Sequence, residues 1–339
     1  MPKAPVTIAE TTDSEPIISI IDDALRSLYI SGSLLLRDSF VMPWSIYLPD
    51  SLALAKLLNA GQDKHVVVFH LVEFGQCTIK PKRGRDIHLK AGEMVINFGG
   101  AAHQLIQGTP NKVQSIEALL ADGPNISGFD GRTGAEGAAL LSGVFMLQHT
   151  RFNPLYESLP PFMHIRLSQP GELHNLSGVA RLMTEQMDEK SIVGSYVVER
   201  TIEILCAEAI RAYVESPLQG KAQWLDGICD PVIGRVIAAI HASPSEHWSV
   251  QRMANNVAMS PSRLAARFAK SVGDSPMAYL TKWRMNLACR MLVDSNLNID
   301  QIGVNVGYES AAAFSRTFKK YLGMSPVPWR SQRTATSAI

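Results

Sequence analysis

Cysteine is scarce in this chain and badly placed for chemistry. Cys77, Cys206, Cys229 and Cys289 lie far apart, and no CxxC or zinc-knuckle spacing occurs. A disulfide framework and a zinc ribbon are therefore excluded, and reduced, buried thiols in a cytoplasmic protein are expected. Long apolar runs are missing too: none approaches the ~20 residues that a membrane helix needs. The first residues, MPKAPVTIAETTDSEP, have no apolar centre and do not read as a signal peptide. Net charge is nearly absent, at +1.

That near-neutrality conceals a division. Residues 232–339 hold 13 Lys and Arg against 5 acids, a surplus of 8, while the rest holds 19 against 26. A basic C-terminal part facing a polyanion and an acidic part with another task account for this asymmetry. At 339 residues, with 46% apolar side chains, the chain has material for two or three domains with real cores.

The basic part repeats itself. SPSRLAARFAKSVGDSP (260–276) and SAAAFSRTFKKYLGMSP (310–326) share Ser260/Ser310, Phe268/Phe318, Lys270/Lys320, Gly273/Gly323, Ser275/Ser325 and Pro276/Pro326. Each reads as an amphipathic helix closed by glycine and followed by a Ser-Pro helix start. A short helix precedes each copy, with Met253, Ala254 and Val257 inward in one and Ile302, Gly303 and Val306 in the other. Helix-turn-helix packing needs a small residue there. These upstream pieces align at an offset of 49 rather than 50, so the second turn is one residue longer. The spacing predicts helices over 231–242, 250–257, 261–272, 276–293, 299–306, 310–321 and a last turn near 326–332, with Asp230 capping the first.

On these wheels Leu264, Phe268, Phe314 and Phe318 point inward. Ser262, Arg263, Ala266, Ala312 and Arg316 fall where a recognition helix meets base edges. Arg316 is the best base reader, since guanidinium matches guanine O6 and N7. Arg267, Lys270, Lys319 and Lys320 are placed to neutralise phosphates.

Upstream, residues 1–16 read as a flexible tail. Ile18, Ile21, Leu25 and Leu28 mark a helix over 17–30. From 33 to about 120, short β-like runs such as HVVVFHLVE and IHLKAGEMVINF alternate with tight turns, the pattern of a barrel or sandwich. ADGPNISGFDGRTGAEG reads as a loop, and LLSGVFMLQ is ambiguous. Helical period returns over 172–215, through Leu176, Val179, Met183 and Met187, then Val197, Ile204, Ala207 and Ile210. Such faces bury against the barrel or against a second subunit. The implied division is 17–165 for the sheet domain, 166–215 for a dimerisation or linking region, 216–230 for a linker, 231–331 for the helical domain and 332–339 for a tail.

Residues 231–331 resemble the DNA-binding domain of AraC/XylS-type transcription regulators. IDQIGVNVGYESAAAFSRTFKKYLGMSPVPWR (299–330) carries that family's G-Y-x-S turn, F-S-R-x-F-K core and G-x-S-P-x-x-W-R ending. The resemblance implies two helix-turn-helix units (about 250–272 and 299–321) joined by a long helix and entering successive major grooves of promoter DNA. It further implies RNA polymerase as a partner and a homodimer. Ala265 and Ala266 stand where family members often have larger polar readers, which favours the second unit for direct readout.

The N-terminal part resembles, less closely, the cupin-type sensor domains fused to such regulators. The stretch from Gly92 to His103 resembles the second cupin motif, with Phe98 in place of a proline, and His70 and Glu73 resemble a degenerate first motif. Ser142-Gly143-Val144-Phe145 stands where this subtype often shows Cys-Gly-x-Phe. Two histidines, with His65 and Glu73 as doubtful additions, fall short of the three ligands of a catalytic metal. No cofactor and no enzymatic activity are expected. The resemblance implies a small-molecule effector, with Trp44, Phe69, His70, Phe98 and His103 at its pocket. The expected architecture is a cupin-like β-barrel with following helices and an all-α double helix-turn-helix domain. Two other readings are a DNA-tethered cupin enzyme and a constitutive DNA-binding protein with a vestigial barrel.

Overall fold

A computed structural model describes residues 15–61, 64–121, 125–126, 137–148, 150–167, 174–188, 194–216 and 223–334. Most of both expected tails, and all but a few residues of the Gly/Asp-rich loop, lie outside them. The strands are β1 (Tyr29–Val41), β2 (Trp44–Leu48), β3 (His65–Phe74), β4 (Gln76–Pro81), β5 (Ile87–Lys90), β6 (Glu93–Asn97), β7 (His103–Gln107), β8 (Gln114–Ser115), β9 (Asn125–Ile126), β10 (Gly137–Gln148) and β11 (Met163–Arg166). The α-helices of the N-terminal half are α1 (Glu15–Ser27), α2 (Ser51–Leu57), α3 (Ile116–Leu119), α4 (Pro154–Glu157), α5 (His174–Asp188) and α6 (Gly194–Glu215). The C-terminal helices are α7 (Gln223–Cys229), α8 (Ile233–Ala242), α9 (Val250–Asn256), α10 (Pro261–Val272), α11 (Pro276–Asp294), α12 (Ile299–Asn305), α13 (Ala311–Leu322) and α14 (Pro326–Thr334). Two compact units result, one of Leu28–Arg151 with Leu159–Gln219, and one of the residues up to Ser27, Phe152–Ser158 and the chain from Gly220.

The first unit holds a six-stranded sheet, ordered β11-β6-β3-β10-β1-β9, and a five-stranded sheet, ordered β5-β4-β7-β2-β8. Val66, Val68, Val72, Val95 and Val144 from one meet Trp44, Ile46, Leu48, Ile79 and Leu105 from the other in a single apolar core. The sheets face each other as in a cupin jelly roll rather than closing into one continuous barrel. β10 is buried on both faces along most of its length, which explains why LLSGVFMLQ showed no alternation. α6 lies on the outer face of β1 and β10. A Cβ on Gly32 of β1 would fall within 2.7 Å of two Ile202 carbons, so only glycine admits the helix at that distance. The apolar stripe of α6 is Ile202, Leu205, Cys206, Ala209 and Ile210, whereas Ile204, expected inward, is exposed.

The second unit follows the predicted helices closely from α8 onward. Asp230 accepts from Val232 and Ile233 N–H at 2.9 and 3.0 Å, as a cap does. Gly273 and Gly323 end their helices at φ +86° and +83°. Three expectations differ. The linker at 216–230 contains a helix, α7, whose Trp224, Leu225 and Ile228 are buried; two turns carry too little periodicity to register in a sequence. α1 packs on α8 rather than joining the sheet domain. Its inward face is Ile20, Ile21 and Ala24, and Ile18 is exposed.

The turn of each helix-turn-helix unit needs one left-handed residue. Gly307 supplies it in the second at φ +86°, and Ala258 occupies the equivalent place in the first at φ +52°. Alanine pays about 1–2 kcal/mol in that region. Ala258→Gly is therefore expected to stabilise the protein by up to about 1 kcal/mol, after the loss of backbone freedom. Gly307→Ala should do the opposite, because its Cβ would also lie 2.5 Å from Arg284 Nη2. Urea unfolding of both variants checks the opposite signs.

Candidate DNA interface and the buried histidine pair

α10 and α13 are placed alike. Leu264 and Phe268 are fully buried in one, Phe314 and Phe318 in the other. Beneath α13, Gly303 of α12 comes close enough that a Cβ would sit 3.2 Å from Phe314 Cβ, which is the expected tight helix crossing. Burying that face turns the opposite one out: Ser262, Arg263, Ala266 and Lys270 of α10 are exposed, as are Ala312, Arg316, Lys319 and Lys320 of α13. Among the described residues, no hydrogen bond or ion pair holds Arg263, Lys270, Arg316, Lys319 or Lys320. Five cations kept free on two matched faces make a surface ready for an anion.

Arg267 does not belong to that set. Its Nε donates to Asp230 Oδ2 at 3.0 Å and its Nη2 to both carboxylate oxygens at 2.9 and 2.8 Å. The expected phosphate contact is thus corrected to a two-pronged clamp fastening α10 to the start of α8. Desolvation works to raise the Asp230 pKa, but the Ile233 N–H, the Arg267 guanidinium and the Val232 N–H hold it below the usual carboxylate range. The partner stands 37 residues away, so no local pattern reveals it.

Arg284 of α11 went unnoticed in the sequence. Its Nε donates to Pro244 O and its Nη2 to Glu246 O, both at 2.8 Å, ahead of the first unit. The same guanidinium lies 5.7 Å from the Tyr308 ring centroid, in the turn of the second. One side chain on the connecting helix thereby touches both the loop ahead of the first unit and the turn of the second. Arg330, from the C-terminal motif, donates to Leu292 O and Leu297 O at 3.0 and 2.7 Å, closing the end of α11.

In the sheet unit, His70 and His103 meet. Their Nε2 atoms are 2.8 Å apart, His70 Nδ1 is 2.8 Å from Ser142 Oγ, and His103 Nδ1 is 3.0 Å from Ala101 O. Asn97 Nδ2 donates to the same carbonyl at 2.7 Å and lies 3.2 Å from His103 Nδ1; with His103 Nδ1–H donating to Ala101 O, its Nε2 accepts from His70 Nε2–H. The Ser142 hydroxyl then donates to His70 Nδ1. Both rings are neutral in this chain of bonds. Burial depresses the pKa of each, and the His103 ring lowers that of His70 further.

The remaining pocket expectations scatter. Phe69 neighbours His70 and so faces the other side of β3, where it stacks on Phe145 with centroids 4.8 Å apart. Trp44 lies at the far end of β2 and donates to Gln107 Oε1 at 2.8 Å. Phe98 is buried, and its carbonyl lies 3.2 Å from His65 Nε2. Glu73 pairs with buried Arg37 at 2.8 Å, away from His70. Phe69 and Trp44 thus lie apart from the His70–His103 pair. Nor does the donor set match the metal that cupins often hold: His70 and His103 supply two imidazole nitrogens, and Ser142 stands in place of a soft third ligand. No group of three or more metal-binding side chains occurs among the described residues.

Comparison with known proteins bears on both units. A cupin family model matches residues 20–215, and a helix-turn-helix family model matches residues 253–332. The chain is 31% identical over 195 residues to a putative AraC-like transcription regulator of Streptomyces lividans, covering 58% of this chain and 64% of that protein, which is under two thirds. It is 28% identical to the transcriptional regulator AlkR of Acinetobacter baylyi, over 78% of this chain and 88% of that one. Among solved structures, the C-terminal domain of AraT, a response regulator from Geobacillus stearothermophilus, is 31% identical over 30% of this chain and 85% of that one, with a TM-score of 0.30. The cupin match covers more than half of the chain, and the protein belongs to the cupin-containing, AraC-type DNA-binding transcription regulators. No helix of the described residues is long and apolar enough to cross a membrane.

The histidines set an expected pH response. His70, His103 and, in the helical unit, His241, pushed down to about 3 by burial, bind protons far less readily folded than unfolded. The unfolded value is about 6.5, so their contribution is complete above that pH and declines as pH falls below it, by up to about 1.4 kcal/mol per unit for each ring. For His241 the decline runs down to about pH 3. Melting temperature should therefore drop between about pH 6.5 and 5. His241→Phe should flatten that slope, and an unchanged slope would refute the assignment.

Proposed function

We propose that the protein binds promoter DNA through α10 and α13 in successive major grooves, with the second helix giving the stronger base readout. The observation that carries this reading is the pair of matched outward faces with free cations. Arg316 is the one long donor at the centre of either face, suited to guanine O6 and N7. Ser262, Arg263, Ala266 and Ala312 would lie against bases, with the alanines offering close approach or a thymine methyl contact. Lys270, Lys319 and Lys320 would neutralise phosphates. Arg267 would contribute less to the phosphate set, since Asp230 holds its Nε and Nη2.

A cytoplasmic regulator that responds to a small molecule, pairs with a second copy and engages RNA polymerase fits this frame. Effector binding would shift the population towards the arrangement suited to DNA. A catalytic role for the cupin domain is disfavoured by the mutual hydrogen bond of His70 and His103, which uses the nitrogens a metal would need.

The test is binding to promoter fragments selected by the wild-type protein. Arg316→Ala should weaken specific binding about 10- to 100-fold and relax preference at one or two adjacent positions of one half-site, as loss of a bidentate pair worth about 1–3 kcal/mol requires. Lys319→Ala should weaken all sequences alike and reduce the slope of log K against log salt by about one. Unchanged affinity and specificity in Arg316→Ala would remove it from the base-reading role.

A further inference from the structure

The helical unit contains an open cleft. It encloses about 620 Å³ including its mouth and lies between α4, α7, the end of α10 and the start of α11. Its walls are aromatic: Phe152, Trp224, Tyr279 and Trp283. Those walls are fixed from behind. Trp224 Nε1 donates to Tyr279 Oη at 3.1 Å, Tyr279 Oη is 2.8 Å from His241 Nε2, and the His241 ring stacks on Trp283 with centroids 3.9 Å apart. A rigid apolar slot with a few polar groups is the usual form of a small-molecule site.

The charges at the rim select the ligand. Lys282 donates to Asp274 at 2.7 Å, so those two charges answer each other. The Glu157 carboxylate has no hydrogen bond or ion pair among the described residues and lines the same cleft as the aromatic rings. Desolvation raises its pKa, the mark of a carboxylate short of compensation, although the Lys282 charge opposes the rise. A carboxylate over aromatic faces attracts a cation twice, by charge and by the ring quadrupoles.

The geometry points to this cleft as a binding site for a small organic cation, an aryl- or alkylammonium whose apolar body lies between Trp224 and Trp283 and whose ammonium faces Glu157. The inference rests on the regulator reading for its significance. Val272, the last residue of α10, lines the same cleft, so an occupant touches the end of the first DNA-facing helix.

The test titrates the full-length protein with benzylammonium, benzyl alcohol and benzoate by calorimetry, without DNA. Benzylammonium should bind one per chain with a dissociation constant of about 1 mM or lower, about tenfold tighter than the alcohol, with benzoate weakest. Glu157→Gln should abolish the preference for the cation. Lys282→Met should strengthen cation binding by releasing Asp274, which guards against a Glu157 variant that simply misfolds. Equal affinity for cation and alcohol, preference for benzoate, no binding, or no response to either substitution would overturn the site. Promoter binding of the same ligand-free proteins is measured in parallel. Normal DNA binding with a failed titration sinks only the cleft, whereas failed DNA binding by the wild type sinks the regulator reading.

Discussion

Everything this protein presents to a nucleic acid depends on how firmly two short helices are prevented from rolling. Each of α10 and α13 is pinned by two side chains with no solvent exposure, one turn apart, Leu264 with Phe268 and Phe314 with Phe318. A helix held at i and i+4 has one outward face, and rotation by one residue would drive a charge into the core. Phe314 and Phe318 contact each other edge-on, and Phe318 meets Trp329 of α14, so the second helix is braced from behind by the chain that follows it. The first is braced differently, by the Asp230 clamp on Arg267 and by α7. Two copies with the same ancestry of pattern are therefore held by different means, and they differ again in what they offer outward.

The cupin unit applies the opposite principle. Some of its polar groups turn inward and bond one another. Ser142, His70, His103 and Ala101 lie in one chain of hydrogen bonds, which Asn97 joins through its Nδ2 while its buried Oδ1 has no partner among the described residues. Such a chain makes a buried polar network tolerable in an apolar sandwich, since a single unmatched member would cost about 1–3 kcal/mol.

What was legible in the sequence follows from where information is local. The helices from α8 to α14 were readable nearly to the residue because period, caps and duplication agreed with one another. The pairing of His70 with His103 followed from a motif resemblance. Phe69 was misplaced although the signal existed: strand alternation puts it opposite His70 once that ring is assigned inward. Other features left no signal. Asp230 and Arg267 meet only through the fold, α7 is too short for its apolar face to show, and β10 lost its alternation because both faces are covered. Gly32 reads as a turn residue until a helix is found lying on it.

Arg284 ties the loop before one helix-turn-helix unit to the turn of the other, from a helix that both share. One side chain thereby couples that loop to that turn across the shared helix. Double-helical DNA rotates by about 34–36° with each base pair. A target with one pair inserted between its two recognition segments would present the second segment turned by that angle, and helices held at a constant separation would not follow it. The duplex would have to twist instead, so the elastic stiffness of the uncontacted pairs becomes part of what is recognised.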